Sequence, residues 1–159
     1  MQRIRDRRIN KIGGYLMAVQ VYVWFPKLKE GNIGHAAMQV DGGDPPGSVY
    51  LSRWPGSYSA VLAGSGTNQS YTDDVSAEGG APSVVRLTKL NESAIKYTIR
   101  VACTVNLYSF LVLNCATQVG MCLNAGIPLS AIAIAAINTP PNTPWNLYLY
   151  AQLLRPLYA

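Results

Sequence analysis

The clearest helical pattern in the chain lies in the segment YSFLVLNCATQVGMCLNAG, residues 108–126. Its apolar residues Leu111, Cys115, Val119 and Cys122 recur at intervals of three and four, the spacing of one helix face. Ala125-Gly-Ile-Pro128 follows, and a glycine exit before a proline is typical of a helix end. The segment therefore predicts a helix with Cys115 near its start.

The position of Cys115 favours chemistry. Asn114 directly precedes the helical run, where an Asn side chain can cap free backbone N–H groups. A cysteine beside a capped helix N-terminus feels the positive end of the helix dipole, which favours the thiolate and hence a nucleophile. The ordinary alternative is a small buried hydrophobic residue, which is what most free cysteines are.

A nucleophilic thiol needs a base, and the chain has one histidine, His35. Any Cys–His pair must therefore use His35, with Cys103, Cys115 or Cys122 as its partner. Cys115 is preferred because Cys122 is in the middle of the helix and Cys103 lies in an apolar segment without an activating signal. A histidine that merely completes a strand or turn is the competing interpretation of His35.

The residues around His35 predict a β-hairpin. Met17–Phe25 alternates β-branched and aromatic residues, which is typical of a strand, and Pro26 ends it. Residues 35–40 form a short strand with His35 at its entry, and residues 41–47 (DGGDPPG) are a turn. Residues 48–54 return as the second arm of the hairpin.

The remaining segments carry weaker signals. Residues 56–82 are rich in Gly, Ser, Thr, Asn and Asp and predict a long loop. This loop either borders a substrate groove or is a disordered insertion. Residues 83–88 predict a strand, and a helix follows from about Glu92 toward Val101. Residues 129–137 fit a buried strand or a short helix. A last helix is predicted over Trp145–Leu154, with Thr143 as its cap and Pro144 in its first turn.

Composition restricts the class of protein. The chain has 159 residues, 49% hydrophobic and 13% charged, and a net charge of +5. We expect a basic arm over residues 1–16 and one domain over residues 17–159. The arm is either a solvated tail or a contact for nucleic acid or an anionic membrane. No stretch has the roughly 20 apolar residues of a membrane span, and no signal peptide is predicted.

Cysteine usage argues against a metal or a disulfide framework. Three cysteines are an odd number, no C-x-x-C pair is present, and one histidine is the only other nitrogen or sulfur ligand. Cys115 and Cys122 are seven residues apart, which is too far for typical zinc-chelate spacing. We therefore expect no metal and no cofactor.

Three short motifs resemble the circularly permuted papain-like (NlpC-like) cysteine hydrolases, in particular bacterial toxins and type VI secretion effectors. They are NCATxV at residues 114–119, NIGHAAMQV at 32–40 followed by VYLSRWP at 49–55, and TPxxLxxYAxxL at 143–154. In that family the histidine strand precedes the cysteine helix, as it does here. The resemblance covers about Val19 to Leu154 and implies an α+β fold in which an antiparallel sheet packs against a central helix that bears the nucleophile.

The resemblance also implies roles for residues. Cys115 would attack an amide or ester carbonyl, and His35 would move the proton. The family places a polar orienting residue on the strand after the histidine, a position that Ser52 occupies here. Asp41 and Asp44 rank lower because they lie in the turn. The backbone N–H of Cys115 would hold the oxyanion, with Asn114 and Tyr108 lining the site.

The leading hypothesis is thus a cysteine amidase or peptidase of a toxin or secreted effector, with cell-wall peptides as the default substrate. The alternatives are a non-catalytic binding module on the same fold, or an acyltransferase or deamidase acting on a host protein or lipid. A nucleic-acid-binding role through the basic arm has no support in the body of the chain. We expect a soluble protein made in the cytoplasm and delivered by a dedicated machine, with an immunity protein or a secretion carrier as partner.

Overall fold

A computed structural model describes residues 18–57, 64–128 and 141–158. The strands are β1 (Val19–Trp24), β2 (His35–Val40), β3 (Val49–Pro55), β4 (Gly64–Asn68), β5 (Ser83–Leu87) and β6 (Leu107–Tyr108). The helices are α1 (Tyr71–Glu78), α2 (Glu92–Val105), α3 (Cys115–Gly126) and α4 (Pro144–Tyr158), and Leu28–Glu30 form a 3₁₀ turn. The fold is α+β, as predicted.

The strands form one antiparallel sheet in the order β5-β1-β2-β3-β4-β6. The alternating residues of β1 and β2 direct one set of side chains to each face. Helices α2, α3 and α4 cover one face, where Val21, Met38 and Leu51 of the sheet pack with Ile95 and Leu123 of the helices. A smaller cluster of Tyr22, Trp24 and Ala37 lies on the other face, together with Val75 of α1. Within the described residues, three helices therefore lie on one side of the sheet and one short helix on the other.

The hairpin around His35 is confirmed. Strands β2 and β3 pair with Ala37 opposite Ser52 and Val40 opposite Val49, and His35 is the first residue of β2. Because β2 is next to the centre of the sheet and begins with His35, the imidazole is held at the end of a rigid element.

The predicted helices are also present, with longer limits in two cases. The helix from Glu92 continues past Val101 to Val105 and ends at Asn106, whose φ of 52° is left-handed. The last helix extends beyond the predicted Trp145–Leu154 in both directions, to Pro144–Tyr158. In α2, the left-handed cap at Asn106 and the packing of Ile95 and Ile99 in the core stabilise the additional turn despite the low helix propensity of its β-branched residues.

The prediction of a long loop over residues 56–82 is wrong. This segment contains β4 and α1. Strand β4 reads GSGTN and has no strong strand former, so its conformation depends on pairing with β3 and β6. Helix α1 begins with a capping box in which Ser70 and Asp73 bond each other's backbone N–H groups.

Two further predictions lie outside the described residues. These are the basic arm at residues 1–16 and the ambiguous strand or helix at residues 129–137. Within the described ranges, no helix combines the length and hydropathy needed to cross a bilayer.

Candidate functional site

Cys115 and His35 line the same cleft, which has a volume of about 1040 Å³. The first residue of β2 and the first residue of α3 meet at this cleft. Its walls come from the turn before β2, the end of β3, the end of α1, the loop before α3 and the start of α4. The two residues that the sequence paired as nucleophile and base are therefore brought together.

Cys115 is the first residue of α3 and is 7% exposed. Asn114 is the N-cap, and its Oδ1 accepts hydrogen bonds from the backbone N–H of Thr117 at 3.0 Å and from the Thr117 hydroxyl at 3.2 Å. The capped helix start predicted from the sequence is confirmed. Cys115 thus lies in the first turn of α3, at the positive end of the helix dipole.

The Asn114 side chain is fully engaged by the protein. Its Nδ2 donates to the carbonyl oxygens of Phe110 and Asn142, both at 2.9 Å. Both amide hydrogens are therefore used to tie together the two loops that frame the cleft. Asn114 lines the cleft, but its amide has no spare hydrogen to donate to a substrate, and its role is to position Cys115.

Packing holds the His35 ring in place. The ring stacks on Trp54, with centroids 4.3 Å apart and an angle of 26° between the planes, and a second indole, Trp24, lies 5.7 Å away. The preceding Gly34 has a φ of +80°, and a Cβ on it would lie 2.5 Å from the Trp24 carbonyl oxygen. Only glycine fits that turn, so the entry to β2 and the ring position are set together.

Ser52 contacts His35 as the resemblance implied, and a buried carboxylate supports it. His35 Nε2 lies 2.9 Å from Ser52 Oγ. Ser52 donates its hydroxyl hydrogen to Asp74 Oδ1 at 2.8 Å, and Asp74 Oδ2 is 3.7 Å from His35 Nε2. Asp74 belongs to α1, on the face of the sheet opposite α3, and is completely buried. The orienting unit is therefore a serine backed by an aspartate.

Three alternate residues of β3 converge on Asp74. Tyr50 donates to Oδ2 at 2.6 Å, while the Trp54 indole N–H lies 2.8 Å from Oδ1 and 3.1 Å from Ser52 Oγ. Side chains at positions i, i+2 and i+4 of a strand share one face, which explains the convergence. The buried carboxylate thus has its acceptor capacity filled, as a buried charge requires.

The direction of these bonds determines the orientation of the imidazole. Since the Ser52 hydroxyl hydrogen goes to Asp74, Ser52 Oγ is free to accept from the Nε2–H of His35. The neutral ring then carries its hydrogen on Nε2 and leaves the lone pair on Nδ1. Nδ1 is the nitrogen left to face Cys115, whose thiol is in contact with the ring.

The electrostatics of the network favour a protonated imidazole. Burial lowers the pKa of His35, but contact with Asp74 and Cys115 and their negative charges outweigh burial and raise that pKa from 6.5 to about 9. Burial raises the pKa of Asp74, and hydrogen bonds from His35, Tyr50 and Ser52 more than offset this, so its net shift is downward. The site thus stabilises the protonated ring of His35 next to the Asp74 carboxylate.

Tyr108 lies beside Cys115. It is 6% exposed and lines the cleft. Burial and the charge of Cys115 raise the pKa of its phenol, although a hydrogen bond with the Cys115 backbone opposes the shift. The backbone N–H of Cys115 thus donates to the phenol oxygen of Tyr108 at the start of α3.

The other cysteines lie away from this arrangement. Cys122 is completely buried, and burial together with the nearby Cys103 raises the pKa of its thiol to about 12. Cys103 is half-buried on α2 and, like Cys115 and Cys122, is a free thiol. In the part of the chain that the structure describes, no group of three His, Cys, Asp or Glu side chains is placed to hold a metal ion.

Asp74 is the residue that the sequence interpretation missed. The aspartates considered there lie elsewhere, since Asp41 accepts from Gln20 and Gln39 and Asp44 is in the turn, where its backbone bonds Ser93. A signal for the helix that carries Asp74 is nevertheless present in the sequence. The Ser70-x-x-Asp73 spacing of a capping box predicts a helix start, and a helix there would have carried Asp74 on it.

Comparison of the chain with protein-family models, with curated proteins and with solved structures found no match.

Proposed function

We propose that this protein is a cysteine-dependent amide or ester hydrolase that uses Cys115 as nucleophile and His35 as general base. The single observation that supports this most is the placement of the imidazole. One ring nitrogen is bonded to Ser52 and backed by Asp74, while the ring contacts the Cys115 thiol inside an open cleft. A nucleophile, a base and a group that orients the base are the three parts of this chemistry.

In the resting pair, Nδ1 of His35 already holds the proton taken from the thiol, in line with the raised pKa of His35. In the first half-reaction the Cys115 sulfur attacks the substrate carbonyl carbon. The tetrahedral intermediate collapses to a thioester when the amine or alcohol leaves, and the imidazolium gives the leaving group its proton. The charge of Asp74 stabilises the imidazolium throughout, and Ser52 keeps the ring from turning.

The negative oxygen of the tetrahedral intermediate needs donors. In our proposal the negative oxygen displaces the Tyr108 oxygen from the backbone N–H of Cys115, and this N–H and the freed Tyr108 hydroxyl then donate to it. In the second half-reaction His35 takes a proton from water, the resulting hydroxide attacks the thioester, and the thiol and a carboxylic acid are released.

The motif resemblance carries the biological part of the proposal, namely a permuted papain-like fold and an antibacterial toxin or secreted effector that cuts cell-wall peptides. The arrangement of Cys115 on the start of the central helix and His35 on the start of a neighbouring strand is compatible with that fold. Host proteins or acyl lipids as substrates would use the same thiol chemistry.

Selective alkylation tests the chemical proposal. Iodoacetamide at neutral pH is expected to modify Cys115 before Cys103 and Cys122, as read by peptide mass mapping, and a His35→Ala variant is expected to lose this selectivity. Cys122→Ala serves as the control, because its thiol is buried and protonated and its removal should leave the labelling of Cys115 unchanged. Equal labelling of all three cysteines would favour a non-catalytic binding module.

Expression in bacteria tests the biological proposal. The wild-type chain directed to the periplasm is expected to lyse cells and release cell-wall fragments, and Cys115→Ala is expected to be harmless there. Thiol-dependent toxicity confined to the cytoplasm would contradict a cell-wall substrate and favour a protein or lipid target.

A further inference from the structure

The cleft contains a buried carboxylate that the hydrolase mechanism does not use. Glu78 is the last residue of α1, lines the cleft and is 4% exposed. A buried charge is costly unless it is paired, and a carboxylate at a helix C-terminus also faces the negative end of the helix dipole. The position of Glu78 is therefore unfavourable for the stability of the fold, because its charge is buried and lies at the negative end of the helix.

The protein supplies only part of what this carboxylate needs. Asn32 Nδ2 donates to Glu78 Oε2 at 2.8 Å. Among the described residues no cation lies within 4.0 Å of the carboxylate, and no donor reaches its second oxygen. The ammonium of Lys27 donates instead to the Glu78 backbone carbonyl at 3.0 Å, where it compensates the helix end.

Glu78 is connected to the reactive centre but separate from it. The amide of Asn32 that holds Glu78 also accepts, through Oδ1, from the backbone N–H of Gly34 at 2.6 Å, and His35 follows Gly34. Glu78 and Asp74 are four residues apart on α1, on its buried face. One carboxylate of the helix thus supports the imidazole, and the other faces the cleft.

We propose that Glu78 binds a primary ammonium group of the substrate, so that the enzyme acts on amides or esters that carry a free amine. This inference rests on the proposed function of Cys115. The charged residues that line the cleft are Lys27, Glu30, Glu78 and His35. Lys27 and Glu30 are both exposed to solvent, so Glu78 is the charge whose burial a substrate cation would compensate. The apolar side chains of Ile33 and Leu111, which also line the cleft, would contact the uncharged part.

A matched pair of alkylating probes tests the inference. Chloroacetamides of propyl, butyl, pentyl and hexyl chains ending in an ammonium group are compared with the same chains ending in a hydroxyl. In both, the Cys115 sulfur displaces chloride from the CH₂ carbon and the thiol proton passes to the base. Rates are normalised to the rates with free N-acetylcysteine, so that intrinsic reactivity cancels.

With the wild-type protein, the best ammonium probe is expected to alkylate Cys115 about tenfold faster than its hydroxyl partner, as one charge-assisted contact predicts. Glu78→Gln keeps an acceptor for Asn32 and removes the charge, and it should bring the ratio close to one. Glu30→Gln makes the same charge change at an exposed cleft residue and should alter the ratio less than about twofold.

The possible results are distinguishable. Efficient alkylation of Cys115 with no preference for ammonium, or a preference that survives in Glu78→Gln, overturns the inference and leaves the hydrolase proposal standing. If neither probe labels Cys115 selectively, the hydrolase proposal fails and the inference fails with it. If Glu78→Gln does not fold, the two probes are compared on the wild-type protein at increasing salt concentration. An ion pair with Glu78 predicts that the ammonium-to-hydroxyl rate ratio falls as salt rises, and a constant ratio overturns the inference.

Discussion

Replacing Asp74 by Asn removes the charge that supports His35 and changes little in size. Two unit charges 3.7 Å apart, the separation of Asp74 Oδ2 and His35 Nε2, attract by roughly 4 kcal/mol at an effective dielectric constant of about 20. Water in the open cleft screens part of this attraction. We therefore expect the pKa of His35 to fall from about 9 by about 2 units in the variant.

The chain allows a direct measurement, because His35 is its only histidine. Its imidazole carbon-bound protons give one set of resonances in a proton NMR titration, without any assignment problem. Asp73→Asn is the matched control, since it makes the same substitution one residue away at an exposed carboxylate that caps α1. A Cys115→Ala background reports the contribution of Asp74 without that of the sulfur.

The expected outcome is a large downward shift for Asp74→Asn and a small one for Asp73→Asn. Thermal melts of both variants would show whether α1 and the hydrogen bonds of Tyr50 and Trp54 to residue 74 survive, since Asn keeps one acceptor oxygen. A folded Asp74→Asn protein whose His35 titrates within about half a unit of the wild type would refute the role assigned to the carboxylate.

Three further predictions concern stability and positioning. Folding raises the pKa of His35, so protonation of His35 contributes roughly 3 kcal/mol to the free energy of unfolding. This contribution is complete below pH 6.5 and disappears as the pH rises through about 9. Urea titrations of the wild type should show this loss of stability, and those of His35→Gln should not. Asn114→Ala should lower the free energy of unfolding by about 1 to 2 kcal/mol and also slow the alkylation of Cys115. Asn91→Ala, which removes the cap of α2, should lower the free energy of unfolding by a similar amount and leave the alkylation rate unchanged. Equal alkylation rates in both variants would contradict the role of Asn114 in positioning Cys115. Gly126→Ala would bring a Cβ within 2.5 Å of Ile95 Cδ1 in the fully buried core. We therefore expect the free energy of unfolding, measured by chemical denaturation, to fall by about 1 to 3 kcal/mol. An unchanged denaturation midpoint would show that the neighbouring side chains rearrange to accept the methyl group.

Local sequence patterns were sufficient to predict the strands, turns and helix caps that depend only on neighbouring residues. The alternation in β1, the turn before β3 and the cap at Asn114 each depend on residues next to one another, and the structure has all three. The α+β class and the proximity of His35 to Cys115 followed from these elements and from the motif resemblance.

The missed features depend on contacts between distant residues. Strand β4 has small and polar residues, and its extended form depends on its neighbours in the sheet. Asp74 has a role only because Tyr50, Ser52 and Trp54 of β3 reach it across the sheet. No spacing within residues 56–82 encodes that partnership, so the serine could be predicted as the orienting residue and the carboxylate behind it could not.

Helix α1 has only eight residues, and its buried side chains are the two acids Asp74 and Glu78. A helix this short is marginal by itself and depends on its tertiary partners. Fraying of one short segment would therefore disable the proposed proton transfer and remove the proposed amine contact in the same event. Hydrogen exchange at the α1 amides would then report the fraction of molecules in which the proposed site is assembled. A partner that separated this helix from the sheet would block the proposed reaction without entering the cleft.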